Sequence, residues 1–259
     1  MAGPGMDRGV GFRSWKHPAP RAVFLLVHGL GAHTGRWEMM AEYFLGRGVS
    51  CYAVELPRDG CFREYFADIL RLRAVIAGEN PSKKIFLAGE SMGALIAFLL
   101  AARTGGLFAG LILLSPAFAN RVSLPLSDLA KIALALFCDP GRSFGVPFDS
   151  SMCTRDAGYR KTMDADPAEY RSSPARLLAD LLFHQALAGS VRSVGMPSLF
   201  LVAGDDRIVD CRATRRIFGR LDSRDKKLVE FPGMFHALSI DTGREAVFEE
   251  IARWAGERF

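Results

Sequence analysis

Residues 85–100 read IFLAGESMGALIAFLL and place a single serine, Ser91, between two apolar stretches. The residues before it predict a buried strand, and those after it have the composition of a buried helix. Glycine stands two positions before and two positions after the serine, at Gly89 and Gly93. So tight a strand-to-helix turn strains the serine, pushes its hydroxyl outward and leaves no room for larger neighbours. The stretch therefore predicts a nucleophilic serine, although a serine that only caps the helix would show the same pattern.

The remaining chain alternates strand and helix patterns around this stretch. Continuous apolar runs predict six strands that are covered on both faces, as in a parallel sheet. These runs are 22–29, 50–56, 84–91, 110–116, 198–206 and 227–233. Segments with helical spacing lie between them, so the sequence predicts an α/β fold with a mostly parallel, doubly wound sheet. The run GVGFRSWKH, residues 9–17, predicts one extra strand at the sheet edge.

The alternation fails between residues 117 and 188, where the pattern indicates helices and loops but no clear strand. Because this segment separates two predicted sheet strands, we expect it to form a helical cap over one end of the sheet. The α/β core would then comprise residues 1–116 and 189–259. Within the cap, Leu124–Phe137 predicts an amphipathic helix. Its apolar face would pack on the core, or it would form an acyl tunnel or a lid that docks on lipid aggregates.

Composition excludes several classes of function. The 259 residues carry a formal charge of +5 with scattered basic residues, which predicts no nucleic-acid partner. No Cys/His spacing typical of a metal site is present, and no cofactor or metal is expected. The five cysteines form no C-x-x-C pair, and the N-terminus has no apolar signal segment. The apolar runs are too short to span a bilayer. We therefore expect a cytoplasmic protein without a transmembrane segment. Transient contact with lipid surfaces is compatible with the sequence, and the oligomeric state does not follow from it.

A serine nucleophile needs a base, and the base needs an acid that orients it. Two histidines follow Ser91 in the chain. His184 lies in an apolar helical pattern and is expected to pack there, whereas His236 lies in a loop just after the last predicted strand. His236 is therefore the predicted base. The loop after the preceding strand supplies Asp205 and Asp206, which spacing does not separate, and also Asp210, which is expected to cap the next helix.

Three segments together resemble the α/β-hydrolase superfamily: HGLGAHTGRW at 28–37, GESMG at 89–93 and AGDDRIVD at 203–210. The most similar branch is that of the monoacylglycerol lipases and lysophospholipases, which is also grouped with the S33-type serine aminopeptidases. In this branch the acid is an Asp followed by Arg and an aliphatic pair, which implies Asp206. The resemblance also implies that the backbone N–H groups of Leu30 and Met92 form the oxyanion hole. The chain departs from the branch at Ala32, where an acidic residue is usual, and in a shortened loop at 55–66.

These observations predict a serine carboxylic-ester hydrolase that forms an acyl-serine intermediate. Its partner would be a small-molecule ester with an apolar acyl chain, of the monoacylglycerol, lysophospholipid or medium-chain type. A thioesterase or acyltransferase would use the same residues. A proline-type aminopeptidase would need acids in the cap, for which Asp164, Asp166 and Glu169 are candidates, although we interpret them as a solvated turn. A ligand-binding protein without turnover on the same scaffold is a further alternative.

Overall fold

The computed structural model describes residues 2–7, 9–123 and 125–259. Within them, ten strands form an eight-stranded sheet in the order β1-β2-β4-β3-β5-β6-β9-β10 and a small β7–β8 sheet. The strands are β1 (Ala2–Asp7), β2 (Val10–Trp15), β3 (Ala22–Val27), β4 (Val49–Val54), β5 (Ile85–Glu90), β6 (Gly110–Leu114), β7 (Ser143–Gly145), β8 (Ser172–Pro174), β9 (Ser198–Ala203) and β10 (Lys226–Phe231). The helices are α1 (Glu38–Leu45), α2 (Phe62–Glu79), α3 (Met92–Thr104), α4 (Leu126–Cys138), α5 (Ser150–Cys153), α6 (Ala157–Ala165), α7 (Ala175–Ser190), α8 (Cys211–Arg220) and α9 (Arg244–Gly256), with a 3₁₀ turn at Thr34–Trp37.

The six predicted strands are β3, β4, β5, β6, β9 and β10, and they pair in parallel. The additional strand predicted at 9–17 is β2, which pairs antiparallel with β4. Its predicted edge position is wrong, because β1 pairs with its other side. The sequence of β1, AGPGMD, lacks a strand pattern, and the strand is held by backbone pairing instead.

Alternate side chains of each strand point to opposite faces of the sheet. Both faces are covered by helices, so both sets of side chains are buried. In β3, Val23 and Leu25 join the apolar cluster that also contains side chains of α2 and α3. Phe24 and Leu26 join the cluster that contains side chains of α1 and α9. Helices thus cover both faces of a mostly parallel sheet, which confirms the predicted α/β class.

The segment between β6 and β9 contains α4, α5, α6 and α7. It also contains β7 and β8, an antiparallel pair that the sequence did not predict. Each has three residues, SFG and SSP, which is too short for a recognisable period. The predicted cap boundary at 188 falls inside α7, which continues to Ser190 and contributes to the core through Leu177 and Leu181.

The helix that follows the serine shows why its apolar run does not indicate a membrane segment. Helix α3 has 13 residues, and most of them are buried inside the protein. A bilayer requires about 20 consecutive apolar residues in a helix. In the described part of the chain, no helix combines the length and the apolar character needed to cross a membrane.

Candidate active site

Ser91 lies at the carboxyl end of β5, one residue before α3, with φ +58° and ψ −121°. This left-handed conformation is costly for a residue with a side chain and is typical of functional sites. A Cβ at Gly89 would lie 2.4 Å from the carbonyl oxygen of Gly93, and one at Gly93 would lie 2.1 Å from that of Val27. Only glycine fits at either position. The Ser91 side chain makes no capping bond to α3, so the interpretation of this serine as a plain helix cap is wrong.

Three of the predicted residues form one hydrogen-bonded chain. His236 Nε2 lies 2.8 Å from Ser91 Oγ, and His236 Nδ1 lies 2.8 Å from Asp206 Oδ2. The other oxygen, Asp206 Oδ1, accepts hydrogen bonds from the backbone N–H groups of Ile208 and Val209. An ionised carboxylate can only accept, so the His236 proton lies on Nδ1 and Nε2 is the acceptor for the Ser91 hydroxyl.

The alternative partners lie elsewhere. Asp205 lies two residues after the end of β9 and is exposed, and its backbone N–H donates to the carbonyl of Met234. Asp210 caps α8, as expected. The ring of His184 stacks on Phe62 within the α7 packing, with 4.0 Å between centroids. The structure therefore brings Asp206 and His236, rather than these residues, to Ser91.

The charges around His236 favour its protonated form. Burial lowers the pKa of His236, but the charge of Asp206, its hydrogen bond to the ring and the nearby Glu90 carboxylate raise it, and the net shift is upward. Asp206 is only 1% exposed, so water screens this attraction poorly. The arrangement can accept a proton from Ser91 and stabilise the resulting imidazolium.

This upward shift predicts a pH dependence. A histidine that acts as the base must be neutral, so the predicted ester hydrolysis should have a kcat/KM that rises with pH as His236 loses its proton. Because the pKa of His236 is raised, the midpoint of this acidic limb should lie above the ordinary histidine value of about 6.5. The measurement is kcat/KM for a p-nitrophenyl ester across the pH range in which the protein stays folded. A midpoint at or below the ordinary value would contradict the Asp206–His236 coupling, and Asp205→Asn should leave the midpoint unmoved.

The loop after β3 lies directly against the serine. A Cβ on Gly29 would be 3.1 Å from Ser91 Cβ. His28 shapes this loop: Leu56 N–H donates to its Nε2, and its Nδ1 donates to the Gly29 carbonyl oxygen. Within the described residues, the N–H groups of Leu30 and Met92 donate to no protein acceptor. Both predicted oxyanion donors therefore remain available to a substrate oxygen.

Two buried carboxylates, which were not among the predicted site residues, hold the loop that carries His236. Glu90 accepts from the backbone N–H and the hydroxyl of Ser239, at 2.9 and 2.8 Å. Asp241 accepts from the backbone N–H groups of Phe235 and Arg155, at 2.8 and 2.6 Å. The sequence did contain a signal for Glu90, because it is an acidic residue in the otherwise apolar strand before Ser91. Among the described residues, no group of three or more His, Cys, Asp and Glu side chains is arranged to hold a metal ion.

A small polar pocket of about 30 Å³ adjoins the serine. Ser91, His236, Arg36, Glu169 and Arg171 line it, and we call it the polar pocket. The side chain of Glu169 is only 5% exposed and pairs with Arg36 Nη2 and with Arg171 Nη1. The interpretation of the cap acids as a solvated turn is therefore wrong for Glu169. Its burial depends on contact with Arg36, 133 positions away in the chain, which a local pattern does not indicate.

A larger apolar pocket of about 310 Å³ lies next to it. Its lining includes side chains of α4 and α7, among them Ile132 and Leu178. We call it the acyl pocket, because its apolar walls suit the apolar acyl chain that the sequence predicts for the substrate. Leu30 and Phe148 line both pockets, so the two meet beside the serine. Helix α4 thus turns one side towards a cavity, while Phe137 on the same helix is 89% exposed.

Comparison with known proteins gives consistent matches over nearly the whole chain. The family model described as "Serine aminopeptidase, S33" matches residues 18–243. The chain is 28% identical to monoglyceride lipase of Homo sapiens over 262 residues, which cover 95% of this chain and 86% of the relative. It is 26% identical to monoacylglycerol lipase of Mycolicibacterium smegmatis over 252 residues, which cover 91% and 88%. The crystal structure of Paleococcus ferrophilus monoacylglycerol lipase matches with a TM-score of 0.86 and 24% identity, covering 96% of this chain and 99% of that one.

The family match and the structural match agree with the motifs at 28–37, 89–93 and 203–210. The family model spans most of the chain, and the structural match shows that the whole fold is similar. The chain therefore belongs to the serine aminopeptidase S33 family of α/β-hydrolases, in the branch that resembles the monoacylglycerol lipases.

Proposed function

We propose that the protein is a serine carboxylic-ester hydrolase that acts on a lipid-like ester with one apolar acyl chain. The observation that carries the proposal is the hydrogen-bonded chain from Asp206 through His236 to Ser91, placed where a polar and an apolar pocket meet. The relatives named as monoglyceride and monoacylglycerol lipases support the substrate class. Residues 117–188 act as the cap that walls the acyl pocket.

Catalysis proceeds through a covalent acyl-serine. Ser91 Oγ attacks the ester carbonyl carbon while His236 Nε2 takes the hydroxyl proton, and the tetrahedral oxyanion accepts hydrogen bonds from the N–H groups of Leu30 and Met92. The carbon–oxygen bond to the alcohol then breaks, and His236 returns the proton to the leaving oxygen. Water, deprotonated by His236, attacks the acyl-serine and releases the carboxylic acid and the free Ser91. Asp206 holds the histidine tautomer and its positive charge throughout.

The substrate has one chemically sensible orientation. The leaving oxygen must lie within reach of His236 to receive a proton, and His236 lines the polar pocket but not the acyl pocket. The alcohol therefore occupies the polar pocket. The acyl chain passes Leu30 and Phe148 into the acyl pocket, where its methylene groups leave water.

Narrowing the acyl pocket should shorten the preferred chain. Ile132 lines this pocket and is buried, so Ile132→Trp removes space from it. Loss of a site for about four methylene groups, at about 0.8 kcal/mol each, lowers kcat/KM for a long ester on the order of 100-fold relative to a butyryl ester. The measurement is a p-nitrophenyl ester series from short to long acyl chains. Leu134→Trp, on the same helix but 65% exposed, is the control and should keep the wild-type profile. An unchanged profile for Ile132→Trp would refute this pocket as the acyl site.

The aminopeptidase alternative is supported by one observation, the carboxylate of Glu169 in the polar pocket. A free amino terminus requires a site with excess negative charge, but Arg36 and Arg171 both pair with this carboxylate. The charge balance therefore disfavours an ammonium group. Prolyl p-nitroanilide and a decanoyl p-nitrophenyl ester, assayed side by side, separate the two functions. Hydrolysis of the ester with labelling by a fluorophosphonate supports the proposal, whereas turnover of the anilide alone overturns it.

A further inference from the structure

We propose that Asp241 is a positioning residue for catalysis, which holds His236 at Ser91 by joining the histidine loop to the cap. We call residues 235–241 the histidine loop, and residues 153–155 the cap segment that it meets. The cap then has a part in orienting the catalytic base as well as in walling the acyl pocket. The proposal rests on the proposed function, because its readout is the rate of ester hydrolysis.

The Asp241 carboxylate is completely buried, with 0% of its side chain exposed, and both of its oxygens accept hydrogen bonds. Oδ1 accepts from the backbone N–H of Arg155 at 2.6 Å and from the Thr154 hydroxyl at 3.0 Å. Oδ2 accepts from the backbone N–H of Phe235 at 2.8 Å and from Arg155 Nε at 3.0 Å. Three of these four donors belong to the cap segment, and the fourth belongs to the residue before His236. Because a buried carboxylate is costly without such donors, it holds the two segments together.

Backbone hydrogen bonds complete the attachment on the other side of the histidine. The N–H of Ala237 donates to the Cys153 carbonyl oxygen at 2.9 Å, and the N–H of Asp241 donates to the Ala237 carbonyl oxygen at 3.0 Å. The residue before His236 is thus held by the Asp241 side chain, and the residue after it is held by the cap segment. A catalytic group must stay within about 0.5 Å of its productive position, and fixing both of its neighbours achieves this.

The second buried carboxylate, Glu90, does not duplicate this role. Glu90 belongs to β5, and it binds the backbone N–H and the hydroxyl of Ser239. This attachment ties the part of the histidine loop that follows His236 to the sheet. Asp241 instead ties the part that precedes His236 to the cap. Loss of Asp241 therefore releases one side of the histidine while the sheet attachment remains.

Arg155 covers the buried carboxylate from the outside. Its Nη2 donates to the Thr242 carbonyl oxygen at 2.5 Å, in addition to the bond from its Nε to Asp241. Its side chain is 37% exposed, so replacing it disturbs the core less than replacing Asp241. In Arg155→Met the backbone N–H still donates to Asp241, and only the bonds of the guanidinium are lost. This variant therefore weakens the link between the cap segment and the histidine loop without removing the buried charge.

The length of the acyl chain separates a positioning role from a role in shaping the cap. Both the formation and the hydrolysis of the acyl-serine use His236, so a displaced histidine slows short and long esters by the same factor. A displaced cap wall instead changes the acyl pocket, and it affects KM for a long ester while sparing an acetyl ester. The test therefore measures kcat and KM for p-nitrophenyl acetate and p-nitrophenyl decanoate, with rates referred to the folded fraction found by thermal melting.

Asp241→Asn should lower kcat for both esters on the order of 10- to 100-fold and leave both KM values unchanged. An amide has one acceptor oxygen instead of two, so one of the N–H groups of Phe235 and Arg155 loses its partner. A resulting displacement of about 1 Å at the base is enough for a loss of this size. Arg155→Met should lower kcat for both esters by about 10-fold, which is the lower end of the same range. If Asp241→Asn does not fold, Arg155→Met carries the test.

Asp156→Asn is the matched control, because it makes the same chemical change at the residue directly after the cap segment. Asp156 caps α6 through the N–H of Tyr159 and pairs with Arg244, and an asparagine keeps the helix cap. It should keep the wild-type kcat for both esters, and an equal loss here would overturn the proposal.

Two results with the Asp241 and Arg155 variants also overturn it. One is a wild-type kcat for both esters, and the other is a loss confined to the decanoate, which would assign these contacts to the acyl pocket. Wild-type protein that hydrolyses neither ester refutes the proposed function itself, and this result is distinct from the others.

Discussion

Replacing Ser91 with alanine is expected to lower kcat for ester hydrolysis by roughly a millionfold, the loss typical of a removed nucleophile in a serine, histidine and aspartate set. The hydroxyl that His236 faces at 2.8 Å is then gone, and no acyl-serine can form. The strained backbone at this position tolerates alanine about as well as serine, so the protein should remain folded. The measurement is hydrolysis of a medium-chain p-nitrophenyl ester, together with the intact mass after treatment with a fluorophosphonate.

The matched control for this experiment is Ser115→Ala. Ser115 directly follows the neighbouring strand β6 and, like Ser91, has a positive φ. It is buried, and its hydroxyl has no hydrogen-bond partner among the described residues. This variant should keep wild-type activity and should take up one fluorophosphonate. A Ser91→Ala protein with activity comparable to the wild type would show that another residue is the nucleophile.

Asp206→Asn is expected to lower kcat by about 10⁴-fold, because an amide in place of the carboxylate favours the wrong tautomer of the histidine. The amide oxygen of the variant can still accept from the N–H groups of Ile208 and Val209, so the local turn is preserved and the loss reports on the histidine. Asp205→Asn changes the adjacent, exposed aspartate and should have little effect on kcat. Thermal melting of both variants checks that they are equally folded. Similar activities for the two would contradict the role proposed for Asp206.

The two neighbouring aspartates also show the limit of local reasoning. The residues alone left Asp205 and Asp206 equivalent, and the resemblance to a family favoured Asp206. Their environments differ greatly, because one side chain is exposed and the other is 1% exposed. The difference arises from the turn after β9, where two successive N–H groups point at Asp206 Oδ1. Such a turn depends on backbone angles that spacing in the sequence does not encode.

Features that depend on local sterics and periodicity could be predicted from the residues alone. Continuous apolar runs predict strands buried on both faces, and two glycines around Ser91 predict a turn in which a Cβ would collide with backbone atoms. These rules act over a few residues, so one sequence is sufficient to apply them. The carboxyl ends of parallel strands share one edge of the sheet, and this explains why Ser91 and His236 were expected to meet.

Features that depend on pairing between distant segments became visible only in the folded chain. The strand β1 and the β7–β8 pair form through backbone hydrogen bonds that need no side-chain pattern. Arg36 and Glu169 are separated by 133 positions, yet they form the buried ion pair beside the serine. The Glu169 carboxylate looks like part of a solvated turn in the sequence, but its side chain is shielded from water because residues 166–171 fold onto the loop after β3. Burial and charge pairing of this kind are properties of the packed chain, and they determine the shape and polarity of the space beside Ser91.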